Sequence, residues 1–124
     1  MILDTNALLW LLQDAPALGA GARARISGGP AWFSAVSITE ITIKAGLGKL
    51  SKRDVIAGAA TAGLRELPLT ARHGAAIANF DTLVRHDPFH RMLLAQAHIE
   101  GMLLLTSDRI LLADEPDLTL DARL

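Results

Sequence analysis

Two short apolar runs, each broken at once by a polar triplet with an aspartate, most constrain how this chain folds. The first is Met1-Ile2-Leu3 before Asp4-Thr5-Asn6, and the second is Met102 to Leu105 before Thr106-Ser107-Asp108. Neither run has helical spacing, so both are predicted to be buried strands. In parallel α/β sheets the ligand crevice lies beyond the carboxyl ends of the strands. Asp4 and Asp108 are therefore expected to lie in a binding site, and to meet if the two strands are neighbours.

Between these runs, apolar segments alternate with segments of helical spacing, which indicates an α/β domain. Further strands are predicted at Ala31 to Ser34 and at Glu66 to Leu69. Helices are predicted over residues 7–13, 19–27, 54–64, 71–79 and 88–100, with another opened by Ser37, while residues 80–86 are assigned to a loop or a helix. We expect a single domain, residues 1–124, with three α/β/α layers. Its central, mainly parallel sheet should have about four or five short strands flanked by helices.

Composition narrows the classes of function. With 124 residues, 51% of them hydrophobic, the chain is able to form one domain with a real core. The absence of cysteine excludes disulfides, thiolate zinc sites and a cysteine nucleophile, so any metal must be held by oxygen or imidazole. No apolar stretch approaches the ~20 residues of a membrane-spanning helix, so we expect a cytoplasmic protein with no membrane partner. A net charge of −1 gives no global sign of nucleic-acid binding.

Two further acidic residues lie where helices are predicted to start. Asp87-Pro88 is a helix-start signal, with aspartate as the cap and proline at the first helical position. Ser37-Ile38-Thr39-Glu40 matches a capping box, which would explain Glu40 without a site. Capping is likewise an alternative account of Asp4 or Asn6. The stronger indication is the recurrence of acids at two strand ends and two helix starts, which would converge in a parallel sheet.

These motifs, in their order and spacing, resemble a PIN domain of the VapC type, the ribonuclease toxin of bacterial toxin–antitoxin pairs. The resemblance covers nearly the whole chain. The motifs that carry it are Leu3-Asp4-Thr5-Asn6 with Ala7-Leu8-Leu9-Trp10, Ser37-Ile38-Thr39-Glu40-Ile41 with Ile43-Lys44, Leu47-Gly48-Lys49-Leu50, Leu67-Pro68-Leu69-Thr70, His86-Asp87-Pro88-Phe89 with Arg91-Met92-Leu93 and Ala95-Gln96-Ala97, and Leu105-Thr106-Ser107-Asp108. The resemblance implies a parallel sheet flanked by helices, Mg²⁺ or Mn²⁺, endoribonuclease activity, a cognate VapB-like antitoxin and a homodimer.

A divalent metal site is consistent with these acids, because hard cations such as Mg²⁺ prefer oxygen ligands and keep several waters. Such an ion activates water for attack on a phosphodiester. We predict Asp4, Asp87 and Asp108 as metal ligands, and Glu40 as a ligand or water-orienting base. Hydrogen bonds to these carboxylates are predicted from Thr5, Asn6, Thr106 and Ser107. Contacts to the RNA backbone are predicted from Lys44, Lys49 and Arg91.

One position departs from the resembled family. His90 stands where many relatives of this subtype carry a second acid three positions after the first, so Asp87 is taken as the third carboxylate. Two alternatives remain open. One is a PIN-fold protein with a weakened site that acts as an interaction module. The other is a histidine-containing metal hydrolase, prompted by the four-residue spacing of His86 and His90. Against it, Pro88 predicts that His86 precedes the helix and shares no face with His90.

Overall fold

The computed structural model describes residues 1–44, 52–83 and 86–124, and its central feature is a five-stranded parallel sheet. The strands are β1 (Ile2–Leu3), β2 (Trp32–Ser34), β3 (Arg65–Leu67), β4 (Leu104–Thr106) and β5 (Thr119–Asp121). Their order across the sheet is β3-β2-β1-β4-β5. The predicted α/β fold with a parallel sheet of short strands is confirmed.

Helices connect the strands. They are α1 (Thr5–Leu12), α2 (Ala20–Ser27), α3 (Ala35–Ile43), α4 (Lys52–Thr61), α5 (Ala71–Ala76), α6 (Pro88–Glu100) and α7 (Arg109–Asp114), with a 3₁₀ segment over Ile77–Leu83. Helix α6 begins at Pro88 with Asp87 as its cap and ends at Glu100, as the sequence predicts. Gly101 caps its end with a left-handed φ of 64°. Within the described ranges, no helix combines the length and the apolar composition needed to cross a membrane.

Two hydrophobic cores lie on opposite faces of the sheet, because successive strand side chains point to opposite sides. Leu3 and Leu105 pack into the core formed with α1, α2 and α4. Ile2 and Leu104 pack into the core formed with α5, α6 and the 3₁₀ segment. All four leucine and isoleucine side chains are fully buried. Helices therefore cover both faces, giving the three layers expected from the sequence.

The two central strands place Asp4 beside the end of β4. Leu3 is in register with Leu105, and the backbone N–H of Asp4 donates to the Leu105 carbonyl over 2.9 Å. Because the pairing is parallel, the residues that follow each strand emerge at one edge of the sheet. The segments that start with Asp4 and Thr106 are therefore neighbours at that edge.

The capping box predicted at Ser37 is wrong. Helix α3 starts at Ala35, directly after β2, and Ser34 caps it by accepting from the N–H of Val36 over 3.0 Å. Ser37 lies inside the helix and is buried, so Glu40 is not its capping partner. The later serine matches a capping box because Glu40 follows it by three residues, but β2 leads directly into the helix without a loop. Another cause must account for the burial of Glu40.

Two elements near the carboxyl terminus, α7 and β5, are not among those predicted from the sequence. Strand β5 extends the sheet next to β4, with Leu105 in register with Leu120. The alternation of Leu118, Thr119 and Leu120 was the available signal for this strand. Residues 80–83 belong to the stretch 80–86 that the sequence assigns to a loop or a helix, and they lie in the 3₁₀ segment, which ends at Leu83.

Candidate metal centre

Asp4 is a buried carboxylate, only 1% exposed, at the carboxyl end of β1. One oxygen, Oδ1, accepts the N–H of Ala7 over 2.8 Å and so caps α1, while Oδ2 accepts the hydroxyl of Thr106 over 2.6 Å. Burial raises the pKa of the Asp4 carboxyl, although the hydrogen bonds and the charge of His90 act in the opposite direction. Asp4 is thus both a helix cap and a constrained, poorly solvated acid.

Asp108 stands at the same sheet edge as the cap of α7. Its Oδ1 accepts the N–H groups of Ile110 and Leu111 over 2.9 and 3.0 Å, and its own N–H donates to Thr106 Oγ1 over 3.1 Å. Thr106 therefore links Asp108 to Asp4. Burial alone would raise the pKa of the Asp108 carboxyl, but the N–H of Leu111 and the imidazoles of His90 and His86 outweigh it and lower that pKa.

Glu40 lies on helix α3 and is only 6% exposed. Its Oε1 accepts the hydroxyl of Thr5, the neighbour of Asp4, over 2.6 Å. Its Oε2 accepts from the ammonium of Lys44 over 2.7 Å. These two partners explain how a carboxylate remains inside this region, since a buried charge requires hydrogen bonds and an opposite charge.

Lys44 joins Glu40 to the fourth predicted acid. The Lys44 ammonium lies 3.6 Å from Asp87 Oδ2 as well as bonding to Glu40. The hydrogen bond to Glu40 is the main cause of a raised pKa at Lys44. Asp87 Oδ1 accepts the N–H of Phe89 over 2.8 Å, which fixes the start of α6. The four acids predicted from the sequence thus lie in one connected polar region rather than on separate surfaces.

Two histidines complete the region next to Asp108. The rings of His86 and His90 stack with centroids 5.2 Å apart and an interplanar angle of 24°. His86 Nε2 lies 3.1 Å from His90 Nδ1 and 3.2 Å from Asp108 Oδ2. His86 does precede helix α6, as predicted, but the prediction that it shares no face with His90 is wrong. The turn through Asp87 carries its ring back over the first turn of the helix.

The other predicted residues have different outcomes. Thr5 and Thr106 hydrogen-bond to carboxylates of the region, and the backbone of Ser107 bonds to Asp4, whereas Asn6 is exposed. Lys49 lies outside the described residues. Arg91 Nη2 reaches the carbonyl of Ile77 at 3.4 Å, and its buried Nε has no hydrogen-bond partner in the described part of the chain. The RNA contacts assigned to Lys44, Lys49 and Arg91 stay predictions.

The donor types of this region suit a divalent cation. The four acids lie in one connected polar region where hydroxyl groups orient the carboxylates of Asp4 and Glu40, and such oxygens are the ligands that Mg²⁺ and Mn²⁺ prefer. Among the described residues, the three potential ligand atoms that lie within 4.8 Å of one another belong to His86, His90 and Asp108. Asp4 is almost fully buried, yet no lysine or arginine of the described ranges forms an ion pair with it. A buried carboxylate without a cationic side chain as partner is costly, and a bound metal ion would remove that cost.

Comparison with known proteins agrees with this architecture. The PIN domain family model matches residues 1–114. No curated protein matches the sequence. A toxin–antitoxin complex from Klebsiella pneumoniae contains a chain with 15% identity and a TM-score of 0.68, with coverage of 98% of this chain and 96% of that chain. VapBC2 from Rickettsia felis, bound to a DNA fragment from its promoter, has a similar chain with 16% identity and a TM-score of 0.70, with coverage of 97% and 96%. At these identities the two structures support the fold alone. The family model matches the sequence itself over residues 1–114, so the chain belongs to the PIN domain family.

Proposed function

We propose that this protein is a metal-dependent endoribonuclease that acts as the toxin of a VapC-type toxin–antitoxin pair. The observation that carries the proposal is the buried Asp4 carboxylate, which Thr106 links to Asp108 and Thr5 links to Glu40. A carboxylate cluster at the carboxyl ends of central parallel strands is a suitable site for divalent metal and phosphodiester chemistry.

Asp4, Glu40, Asp87 and Asp108 are the residues proposed to hold Mg²⁺ or Mn²⁺. When bound, such an ion supplies charge neutralisation at the phosphodiester and a water of lowered pKa. The roles of the protein groups follow from their contacts. Thr106 and Thr5 fix the directions of the Asp4 and Glu40 carboxylates, and a fixed carboxylate is able to orient a water without reorganisation.

Lys44 has a counter-ion role in this proposal. Its ammonium, bonded to Glu40 and close to Asp87, lowers the repulsion between these acids and any approaching phosphate. The side chain is about half exposed, at 48%, so it is also within reach of an RNA backbone. Phosphate contacts of this kind position the strand without reading its sequence.

The proposed partner is a VapB-like antitoxin. Both similar structures are described as toxin–antitoxin complexes, and the fold is shared over nearly the whole chain. A homodimer is proposed on the same resemblance. Co-purification of the chain with the product of an adjacent small gene, together with loss of RNA cleavage in the complex, would support this assignment.

The direct test is cleavage of a labelled single-stranded RNA by the purified protein with Mg²⁺, with Mn²⁺ and with EDTA. We expect cleavage with either metal, none with EDTA, and none of a DNA strand of the same sequence. Asp4→Asn and Asp108→Asn should each reduce the rate at least about 100-fold, because metal-site carboxylates are removed. Asp117→Asn, at an exposed acid outside the site, is the matched control. Equal cleavage by Asp4→Asn and the unaltered protein would refute the nuclease proposal.

A further inference from the structure

Three potential ligand atoms form a nearly regular triangle beside the carboxylate cluster. His86 Nε2, His90 Nδ1 and Asp108 Oδ2 are separated by 3.1, 3.2 and 3.5 Å. Around a tetrahedral zinc ion with ligand distances of 2.0–2.1 Å, neighbouring ligand atoms are about 3.3 Å apart. The triangle therefore has the size of one face of a tetrahedral coordination shell.

Hydrogen bonds leave at least one edge of the triangle unused. Each neutral imidazole carries one N–H, and one N–H points along only one edge of the triangle. If both facing nitrogens carry hydrogens, both can donate to Asp108 Oδ2, and the 3.1 Å contact between His86 Nε2 and His90 Nδ1 then has no hydrogen bond. A cation above the triangle would instead engage the lone pairs of all three atoms at once.

Neighbouring groups fix the orientation of the three side chains that form the triangle. Asp108 Oδ1 is held by the N–H groups of Ile110 and Leu111, which leaves Oδ2 directed at the two histidines. The stacked rings fix each other's orientation. The three side chains are between 15% and 20% exposed, so the front of the triangle is open to water. Three protein ligands with an open fourth position is the arrangement of catalytic rather than structural zinc sites.

We infer that His86, His90 and Asp108 form a binding site for a divalent transition-metal ion of the zinc type, selective against Mg²⁺. Imidazole nitrogen is a good ligand for Zn²⁺ and Co²⁺, whereas Mg²⁺ prefers oxygen and octahedral geometry. This inference deepens the proposed function and rests on it in one respect, since Asp108 belongs to the carboxylate site as well. The presence of His90 in place of an acid then changes the metal preference of the site.

The test uses the full chain, stripped with EDTA and dialysed, and measures metal binding without RNA. Isothermal titration with Zn²⁺, Co²⁺ and Mg²⁺ gives affinity and stoichiometry, and the visible spectrum of the Co²⁺ form reports tetrahedral geometry. We expect one Zn²⁺ or Co²⁺ per chain, bound at least 100-fold more tightly than Mg²⁺, because borderline metals prefer imidazole. His86→Asn and His90→Asn should each weaken Zn²⁺ binding more than tenfold, since even outer partners of a ligand contribute that much.

Two further variants keep the test decisive. His98→Asn is the matched control, because His98 lies on the same helix as His90, is exposed, and has its ring perpendicular to the ring of Phe80 rather than near Asp108 or the other two histidines of the triangle. It should bind Zn²⁺ like the unaltered protein. His90→Asp replaces one imidazole with an acid and should reduce the preference for Zn²⁺ over Mg²⁺ at least tenfold. Circular dichroism of each variant shows that it is folded before titration.

The outcomes separate this inference from the proposed function. Zn²⁺ binding that depends on His86 and His90 supports the site even if the protein cleaves no RNA. Zn²⁺ binding that is equal in the unaltered protein, His86→Asn and His90→Asn would overturn it, even if Mg²⁺ supports RNA cleavage. Equal affinity for Mg²⁺ and Zn²⁺ in the unaltered protein would overturn it as well.

Discussion

The hydroxyl of Thr106 donates a hydrogen bond to Asp4 Oδ2 over 2.6 Å, although the two residues lie 102 positions apart. The same hydroxyl oxygen accepts the N–H of Asp108. One small side chain at the end of β4 thus sets the relative positions of two acids that belong to different strands.

Thr106→Val should therefore damage both stability and the site. Valine fills a similar volume but leaves the buried Asp4 oxygen and the Asp108 N–H without this partner, which costs about 1–3 kcal/mol in the free energy of unfolding. We expect RNA cleavage to fall roughly 10–100-fold as well, the usual effect of losing a group that orients a metal ligand. Urea unfolding and a cleavage assay measure the two effects.

Thr39→Val is the matched control for this change. Thr39 is exposed, and its hydroxyl donates to the carbonyl of Ala35 in the preceding turn of α3. Its replacement should alter the free energy of unfolding by no more than about 0.5 kcal/mol. A Thr106→Val protein as stable and active as Thr39→Val would contradict the linking role of Thr106.

Asp4→Asn should stabilise the protein in EDTA at neutral pH while abolishing activity. Burial raises the pKa of Asp4 in the folded state, so folding favours the protonated acid. The carboxyl has a pKa of about 3.9 in the unfolded chain and a higher pKa in the folded protein. As pH rises between these two pKa values, the protein loses stability relative to a variant that is uncharged at position 4. Above both values, each unit of difference between them lowers the free energy of unfolding by about 1.4 kcal/mol.

The measurement is urea unfolding of both proteins in EDTA at several pH values. The stability advantage of Asp4→Asn should be present near neutral pH and should shrink as pH falls toward the unfolded pKa. A constant difference across the whole range would show that ionisation of Asp4 costs nothing on folding.

Lys44→Met should increase the stabilising effect of Mg²⁺. The Lys44 ammonium occupies Glu40 Oε2 and lies near Asp87, so its loss removes a cation that competes with a metal ion at the same carboxylates. In EDTA the variant should unfold at a lower temperature than the unaltered protein, because Glu40 stays buried without its counter-ion. Differential scanning fluorimetry with increasing Mg²⁺ measures both effects.

Arg25→Met serves as the control for Lys44→Met, because Arg25 is an exposed cation on α2, a helix that carries none of the four acids. It should leave the Mg²⁺ response unchanged. If Lys44→Met leaves the EDTA melting temperature unchanged and only weakens RNA binding, Lys44 acts as a phosphate contact rather than as a counter-ion.

Gly19→Ala should destabilise the contact between the start of α2 and the residues that follow β5. A β-carbon on Gly19 would overlap the backbone carbonyl of Arg123, and Gly19 N–H donates to the Ala122 carbonyl over 2.9 Å. The backbone cannot yield as a flexible side chain would, so we expect a loss of about 1–3 kcal/mol. Gly29→Ala, where the new methyl group would meet nothing within 4 Å, should be close to neutral in the same unfolding assay.

The sequence predicted the central strands because β1 and β4 are uninterrupted apolar runs that end in polar residues. It predicted helix α6 for a similar reason, since Asp87-Pro88 and Gly101 are strong local boundary signals. The start of α3 was missed because two serines offered plausible caps, and only the tertiary position of β2 decides between them. Local patterns therefore identify elements more reliably than their limits.

The site could be predicted only in part. The recurrence of acids at the ends of predicted elements indicated Asp4 and Asp108. These two residues are close together because β1 pairs with β4. The partnership of His86 with His90 was not predictable, because it depends on the backbone turn before α6 and on Asp108 facing that turn. Lys44 lies four residues after Glu40, so their ion pair follows from helical spacing. The contact of Lys44 with Asp87 depends instead on the packing of α3 against α6.

The position of β1 between β2 and β4 has a consequence for biosynthesis. A ribosome must extend the chain beyond residue 108 before β4 is able to pair with β1 and deliver Thr106 to Asp4. Nascent chains shorter than this lack one side of the carboxylate cluster. Whatever chemistry the cluster performs is therefore withheld until translation of the domain is nearly finished.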